Sequence, residues 1–251
     1  MLVSGKQLES ATINAIDGKI GKVRSFLFDD EQWVVRYLVV HHGFWVFGKD
    51  TLISPMSVTD AIQDLDLIST KLTKEQVKNA PSADLAKPVS RRKEEQFLRY
   101  YRVPTYWGGA GLWAGAMTPV EAGVVDYVPE PETEPEAANE EEYHLRSTHE
   151  VIGYRASAEE TEVGKVEDVL IEDKTWAIRY LRLEAKTDFG DGTIYVSPHW
   201  VRDISWLERK FELDLPLERI RQLPALGKNG ILVQEEEVQI HEHFGKPRYW
   251  T

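Results

Sequence analysis

Cysteine is absent from all 251 positions, which removes disulfides, thiolate metal sites and a Cys nucleophile in one step. No stretch approaches the roughly 18–20 consecutive apolar residues that a membrane-spanning helix requires. The first ten residues, MLVSGKQLES, do not have the basic, apolar and small-residue regions of a signal peptide. Those absences lead to the expectation of a soluble, cytoplasmic protein. The catalytic motifs are missing too. There is no G-x-S-x-G elbow behind Ser54 or Ser197, no phosphate-binding loop behind Gly21-Lys22, and no calcium-loop spacing after Asp29-Asp30.

What is present is one long stretch written twice. Residues 21–38 read GKVRSFLFDDEQWVVRYL and residues 164–181 read GKVEDVLIEDKTWAIRYL, identical at nine of eighteen positions. The offset of 143 holds without a gap, carrying Ser54-Pro55 onto Ser197-Pro198, Asp60 onto Asp203, and Pro104, Tyr106 and Trp107 onto Pro247, Tyr249 and Trp250. A fixed period of this length signals duplication. The expected organisation is therefore repeat one over 1–108, repeat two over 144–251, and an insert over 109–143. A unit of about 108 residues is large enough to hold its own core.

Charge is unevenly spread. The chain carries a net −12, to which repeat one contributes +2, the insert −9 and repeat two −5. The insert holds no Lys or Arg, and residues 129–142 contain seven Glu and three Pro. Such a composition cannot bury enough apolar surface to offset its chain entropy, so an acidic, disordered linker is expected. Neither repeat is strongly basic, and nucleic acid is not the expected partner; the short cluster Arg91-Arg92-Lys93 is the one feature that points the other way.

The elements are mostly strands. Lys22–Phe28 and Trp33–Val40 form a hairpin around Asp29–Gln32, and Trp176–Leu183 is the return strand in repeat two. Leu52-Ile53 and Tyr195-Val196 stop at proline, and a further hairpin is expected in Ser57–Thr70 and in Trp200–Leu213. Thr73 and Gln76 have capping-box spacing for a short helix. A second helix begins at Ser90 and ends near Arg102, with Phe97 and Tyr101 on one face, as Ile240 and Phe244 are in repeat two. The fold class is mainly β with short α: two small antiparallel barrels, each closed by a helix and an aromatic tail.

Candidate chemistry is sparse. His41-His42 leave opposite faces of a strand, and His241 and His243 are two apart where helical ligand pairs stand three or four apart, so no metal site and no cofactor is expected. Asp29-Asp30-Glu31 reads as a solvated turn. Arg36 and Arg179 recur, as do Asp60 and Asp203, and an ion pair Arg36–Asp60, repeated as Arg179–Asp203, is the expectation inside each repeat. Gly21, Lys22, Trp33, Gly164, Lys165 and Trp176 complete the recurring signature. Phe44-Trp45-Val46-Phe47 faces a polar, glycine-rich stretch, 187–192, in repeat two, so Phe44, Trp45 and Phe47 are the expected partner-binding residues. Packing between repeats is expected from Phe97, Tyr101, Tyr106, Trp107, Ile240, Phe244, Tyr249 and Trp250.

The G-K-V hairpin, the W-x-x-R-Y-L return strand and the later Ser-Pro resemble the PRC-barrel family over roughly residues 4–85 and 147–228, and the helix with its P-x-Y-W tail resembles tandem bacterial members. The resemblance implies a small antiparallel barrel used for docking and assembly, as in the cytoplasmic domain of the photosynthetic reaction-centre H subunit and the C-terminal domain of a ribosome-maturation factor. Two features depart from those members: no membrane helix stands ahead of the first repeat, and no partner domain of the maturation-factor type is visible. The functional expectation is a non-enzymatic scaffold with a protein partner or a second copy of the chain; the alternative is a ribosome- or RNA-associated assembly factor.

Overall fold

The computed structural model describes residues 1–43, 48–82, 89–107, 109–124, 144–189, 192–227, 230 and 232–250. Among these the strands are β1 (Leu2–Ser4), β2 (Thr12–Ala15), β3 (Gly18–Asp29), β4 (Val34–His42), β5 (Lys49–Ile53), β6 (Leu67–Ser69), β7 (Leu145–Ser147), β8 (Arg155–Ala158), β9 (Thr161–Glu172), β10 (Ile178–Ala185), β11 (Thr193–Val196), β12 (Val201–Ser205) and β13 (Lys210–Leu213). The α-helices are α1 (Gly5–Leu8), α2 (Lys74–Asn79), α3 (Arg91–Tyr101), α4 (Pro119–Ala122), α5 (Thr148–Val151), α6 (Leu217–Arg221) and α7 (Gln234–Phe244). The protein is mainly β, and among the described residues no helix is long and apolar enough to cross a membrane.

The strands form two sheets in two compact units. One unit comprises Gln7–Ser147 and Asp173–Ala177; its sheet runs β5-β4-β3-β2-β6, with β7 added on β3. The other comprises Met1–Lys6, Thr148–Glu172 and Ile178–Thr251; its sheet runs β11-β10-β9-β8-β13-β12, with β1 added on β9. The repeats are thus boundaries of sequence, while each compact unit is completed by the first strand of the other repeat.

Each sheet is built on its long hairpin, β3–β4 or β9–β10. The recurring glycine sits at the open end of that hairpin, close against the backbone of the partner strand. A Cβ on Gly21 would lie 2.5 Å from the His41 carbonyl oxygen, and one on Gly164 would lie 2.4 Å from that of Glu184. The recurring tryptophan is a turn residue rather than the first strand residue: Trp33 and Trp176 have φ of 56° and 61°, a left-handed conformation uncommon for any residue but glycine. Both indoles are nonetheless buried, Trp33 stacking on Phe28 at 4.8 Å between centroids and Trp176 lying 6.4 Å from Phe26. Burying a large aromatic surface offsets the backbone strain. Lys22 and Lys165 are exposed.

The helices follow their caps. Thr73 and Gln76 close the capping box of α2, and Ser90 stands at the N-cap of α3. Helix α3 ends at Arg102, with φ 55°, and α7 at Gly245, with φ 64°, equivalent positions under the 143-residue offset. The second hairpin of repeat two is present as β12–β13, whereas its counterpart in repeat one is reduced to β6 and the isolated bridge Val58–Thr70.

Composition placed 109–124 in the linker, and here the structure differs. Trp113 is fully buried, its Nε1 donates to the Thr175 carbonyl at 2.9 Å, and α4 carries a closed capping box between Thr118 and Glu121. One large aromatic anchor and a cap are enough to order a glycine-rich stretch that has no periodicity. The acidic core of the linker, 125–143, lies outside the described residues.

Candidate functional site

The same polar cluster is built twice, once in each unit. In the first unit Arg36 on β4 is 1% exposed, and its Nε donates to Asp29 Oδ2 at 2.6 Å. Its Nη2 donates to Gln32 Oε1 at 2.7 Å and its Nη1 to the Leu112 carbonyl. The guanidinium lies over Tyr106 at 4.1 Å and over Trp113 at 4.8 Å. Such stacking with in-plane hydrogen bonding suits arginine and not lysine. Tyr106 donates its hydroxyl to Glu94 Oε2 at 2.6 Å, and Arg91 Nη1 donates to both Glu94, at 3.2 Å, and Tyr106, at 2.8 Å. Arg91 also covers Trp107 at 4.2 Å.

In the second unit Arg179 donates to Glu172 Oε2 through Nη2 at 2.6 Å and through Nε at 2.9 Å, and covers Tyr249 at 4.2 Å. Tyr249 donates to Glu237 Oε2 at 2.6 Å. Every one of these residues is its partner's equivalent under the 143-residue offset: Asp29 and Glu172, Arg36 and Arg179, Glu94 and Glu237, Tyr106 and Tyr249. The helix and the aromatic tail are thereby clamped to the long hairpin in both units.

This corrects two expectations. Arg36 and Arg179 do not take Asp60 and Asp203 as partners; both aspartates are exposed, and the arginines bind the acid seven positions earlier, across the hairpin turn. Asp29 is not a solvated turn residue but 5% exposed, because the buried guanidinium needs a charged acceptor. Its neighbour Asp30 is paired with Arg146 at 3.1 Å. Glu94 and Glu237 were missed. Their signal was an acid kept at one position in both repeats of a helix whose neighbouring charges change freely.

Burial sets the electrostatics. Glu94 is 1% exposed, and desolvation pushes its carboxyl up to about 7, against the pull of Tyr106 and Arg91. Glu237 is raised for the same reason. The Tyr106 and Tyr37 hydroxyls are driven well above their ordinary value, first by burial and then by Glu94. The buried Tyr37 hydroxyl is raised by both the charge of Glu94 and hydrogen bonding to it. Its counterpart Tyr180 donates to His241 Nε2 at 3.0 Å, while His241 Nδ1 donates to the Lys246 carbonyl at 3.4 Å. Burial lowers the His241 ring below its ordinary value, so it sits neutral in a nest of Tyr180, Trp200 and Trp250.

The remaining sequence candidates are dispersed. Phe97 and Ile240 are fully buried, Phe97 6.5 Å from Tyr37. Tyr101 and Phe244 are buried, Phe244 against Trp200 at 5.6 Å. Tyr106 and Trp107, and likewise Tyr249 and Trp250, stack edge-on at 4.8 and 4.7 Å. These contacts all fall inside a residue's own unit. His41 Nδ1 lies 2.8 Å from Asp50 Oδ1, whose other oxygen accepts from Arg24 at 2.9 Å, while His42 is buried. Asp60 lines a shallow depression of about 180 Å³ between Val58 and Ser69. Among the described residues no three His, Asp and Glu side chains gather as a metal site. Phe44, Trp45 and Phe47 lie outside the described residues. Comparison with known proteins returns no matching family model and no matching curated protein.

Proposed function

We propose that the chain is a non-enzymatic interaction and assembly scaffold built from two PRC-type barrels. The observation that carries this reading is the duplicated clamp. Arg36 and Glu94, the charged groups most suited to chemistry, are each 1% exposed and engaged with one another's partners, so they hold the framework and are closed to a substrate. The duplication kept the buried clamp, while the two sequences diverge elsewhere, Phe44-Trp45-Val46-Phe47 in repeat one aligning with a polar stretch in repeat two. An adaptor needs that division between a fixed frame and a diverged remainder. The basic cluster that pointed to nucleic acid is partly spent, since Arg91 serves the clamp.

The test is a crosslinked pull-down from native lysate with the wild-type chain and with Trp45→Ser/Phe47→Ser, each at low and high salt. The double variant keeps its circular dichroism spectrum and loses a stoichiometric protein partner that survives salt in the wild type. An unchanged partner list removes the aromatic stretch from the account. Ribosomal subunits or RNA that disappear at high salt favour the assembly-factor alternative.

A further inference from the structure

The two added strands are reciprocal in register. Strand β1 pairs antiparallel with β9 as Leu2 with Glu172, Val3 with Ile171 and Ser4 with Leu170. Strand β7 pairs antiparallel with β3 as Leu145 with Asp29, Arg146 with Phe28 and Ser147 with Leu27. Adding 143 to the donor and subtracting 143 from the acceptor converts the first list into the second. A pairing in which residue i meets j while the equivalent of j meets the equivalent of i is the pattern of an isologous contact between identical partners.

Both donor segments are held firmly. Leu2, Val3, Ser4 and Leu145 are buried. Ser4 donates its hydroxyl to the buried Asp168, whose other oxygen accepts from the Lys6 amide at 3.1 Å. Gly5 follows because the backbone passes close to Val169: a Cβ there would lie 2.7 Å from that side chain. In the other unit the Asp30 amide donates to the His144 carbonyl at 3.0 Å, and Arg146 pairs with Asp30.

We propose that the β3 and β9 edges form an interaction surface for a second copy of the chain, which supplies the same Leu-x-Ser strand to give a strand-exchanged dimer. Each edge meets identical atoms whether the donor strand comes from its own chain or another. The closed monomer and the exchanged dimer therefore share both pairings, and in the closed form donor and acceptor are tethered through one chain. The balance is set by effective concentration, on the order of millimolar for a tether of this size, and the exchanged form grows with chain concentration.

The absence of native cysteine makes the test direct. The variant Val3→Cys/Ile171→Cys is unfolded, refolded at about 10 µM, well below the effective concentration, and at about 1 mM, comparable with it, and oxidised. The expected result is mainly an intrachain disulfide at the lower concentration, with the interchain-to-intrachain ratio rising roughly hundredfold at the higher one, in proportion to concentration. Intrachain disulfides alone at both concentrations, or no disulfide in a folded variant, overturn the proposal. Should the variant fail to fold, two differently tagged wild-type chains are refolded together at the higher concentration. A species of twice the monomer mass carrying both tags sustains the proposal, and its absence overturns it.

Discussion

A carboxyl group whose burial outweighs its ion pair, as at Glu94, makes stability depend on pH in a direction opposite to that of an acid whose pairing lowers its value. Its folded value of about 7 lies above the ordinary 4.5, so between those values the native state binds more protons than the unfolded chain. Its contribution is most favourable below about pH 4.5 and is lost as the pH rises through 7. A shift of this size corresponds to about 3 kcal/mol as an upper figure. Denaturant unfolding at pH 5 and pH 8 should show the wild type losing stability relative to Glu94→Gln as the pH rises, the variant keeping the Tyr106 hydroxyl bonded. An undiminished pH slope in the variant would assign it to other groups. Arg36 was legible as an important residue, because it recurs, but its partner was not. Ionic partners are set by strand register and burial, and Asp29 became identifiable only once the hairpin placed it across from the guanidinium.

At the scale of elements, the two closing helices offer a natural comparison. Helix α3 stops on Arg102 and α7 on Gly245, both left-handed. A side chain in that region costs about 1 kcal/mol relative to glycine. Arg102→Gly, at an exposed position, should therefore raise the denaturation midpoint by an amount equivalent to about 1 kcal/mol; an unchanged or lowered midpoint would mean that the arginine side chain supports the helix end in another way. The helices, their caps and the long hairpins were legible because each follows a local rule: periodicity, a Thr-x-x-Gln box, β-branched alternation. The segment 109–124 was not, since its order rests on Trp113 reaching Thr175, more than sixty residues away. The left-handed Trp33 and Trp176 were hidden for a similar reason: local propensity disfavours them, and only burial of the indole explains them.

For the whole molecule, the duplication was plain in the sequence, down to the single offset. What the offset could not reveal is that strand β1 joins the sheet of the second repeat and β7 that of the first. Three-residue strands carry almost no pattern of their own, and the pairing depends on acceptor edges formed by residues more than 110 positions away.

Hydrogen–deuterium exchange of the intact protein tests that pairing most directly. Backbone amides within residues 2–6 and 145–147 should exchange as slowly as those of 169–172 and 27–29, the strands they are bonded to. Exchange of 2–6 and 145–147 at the rate of unstructured chain, with β3 and β9 still protected, would contradict it.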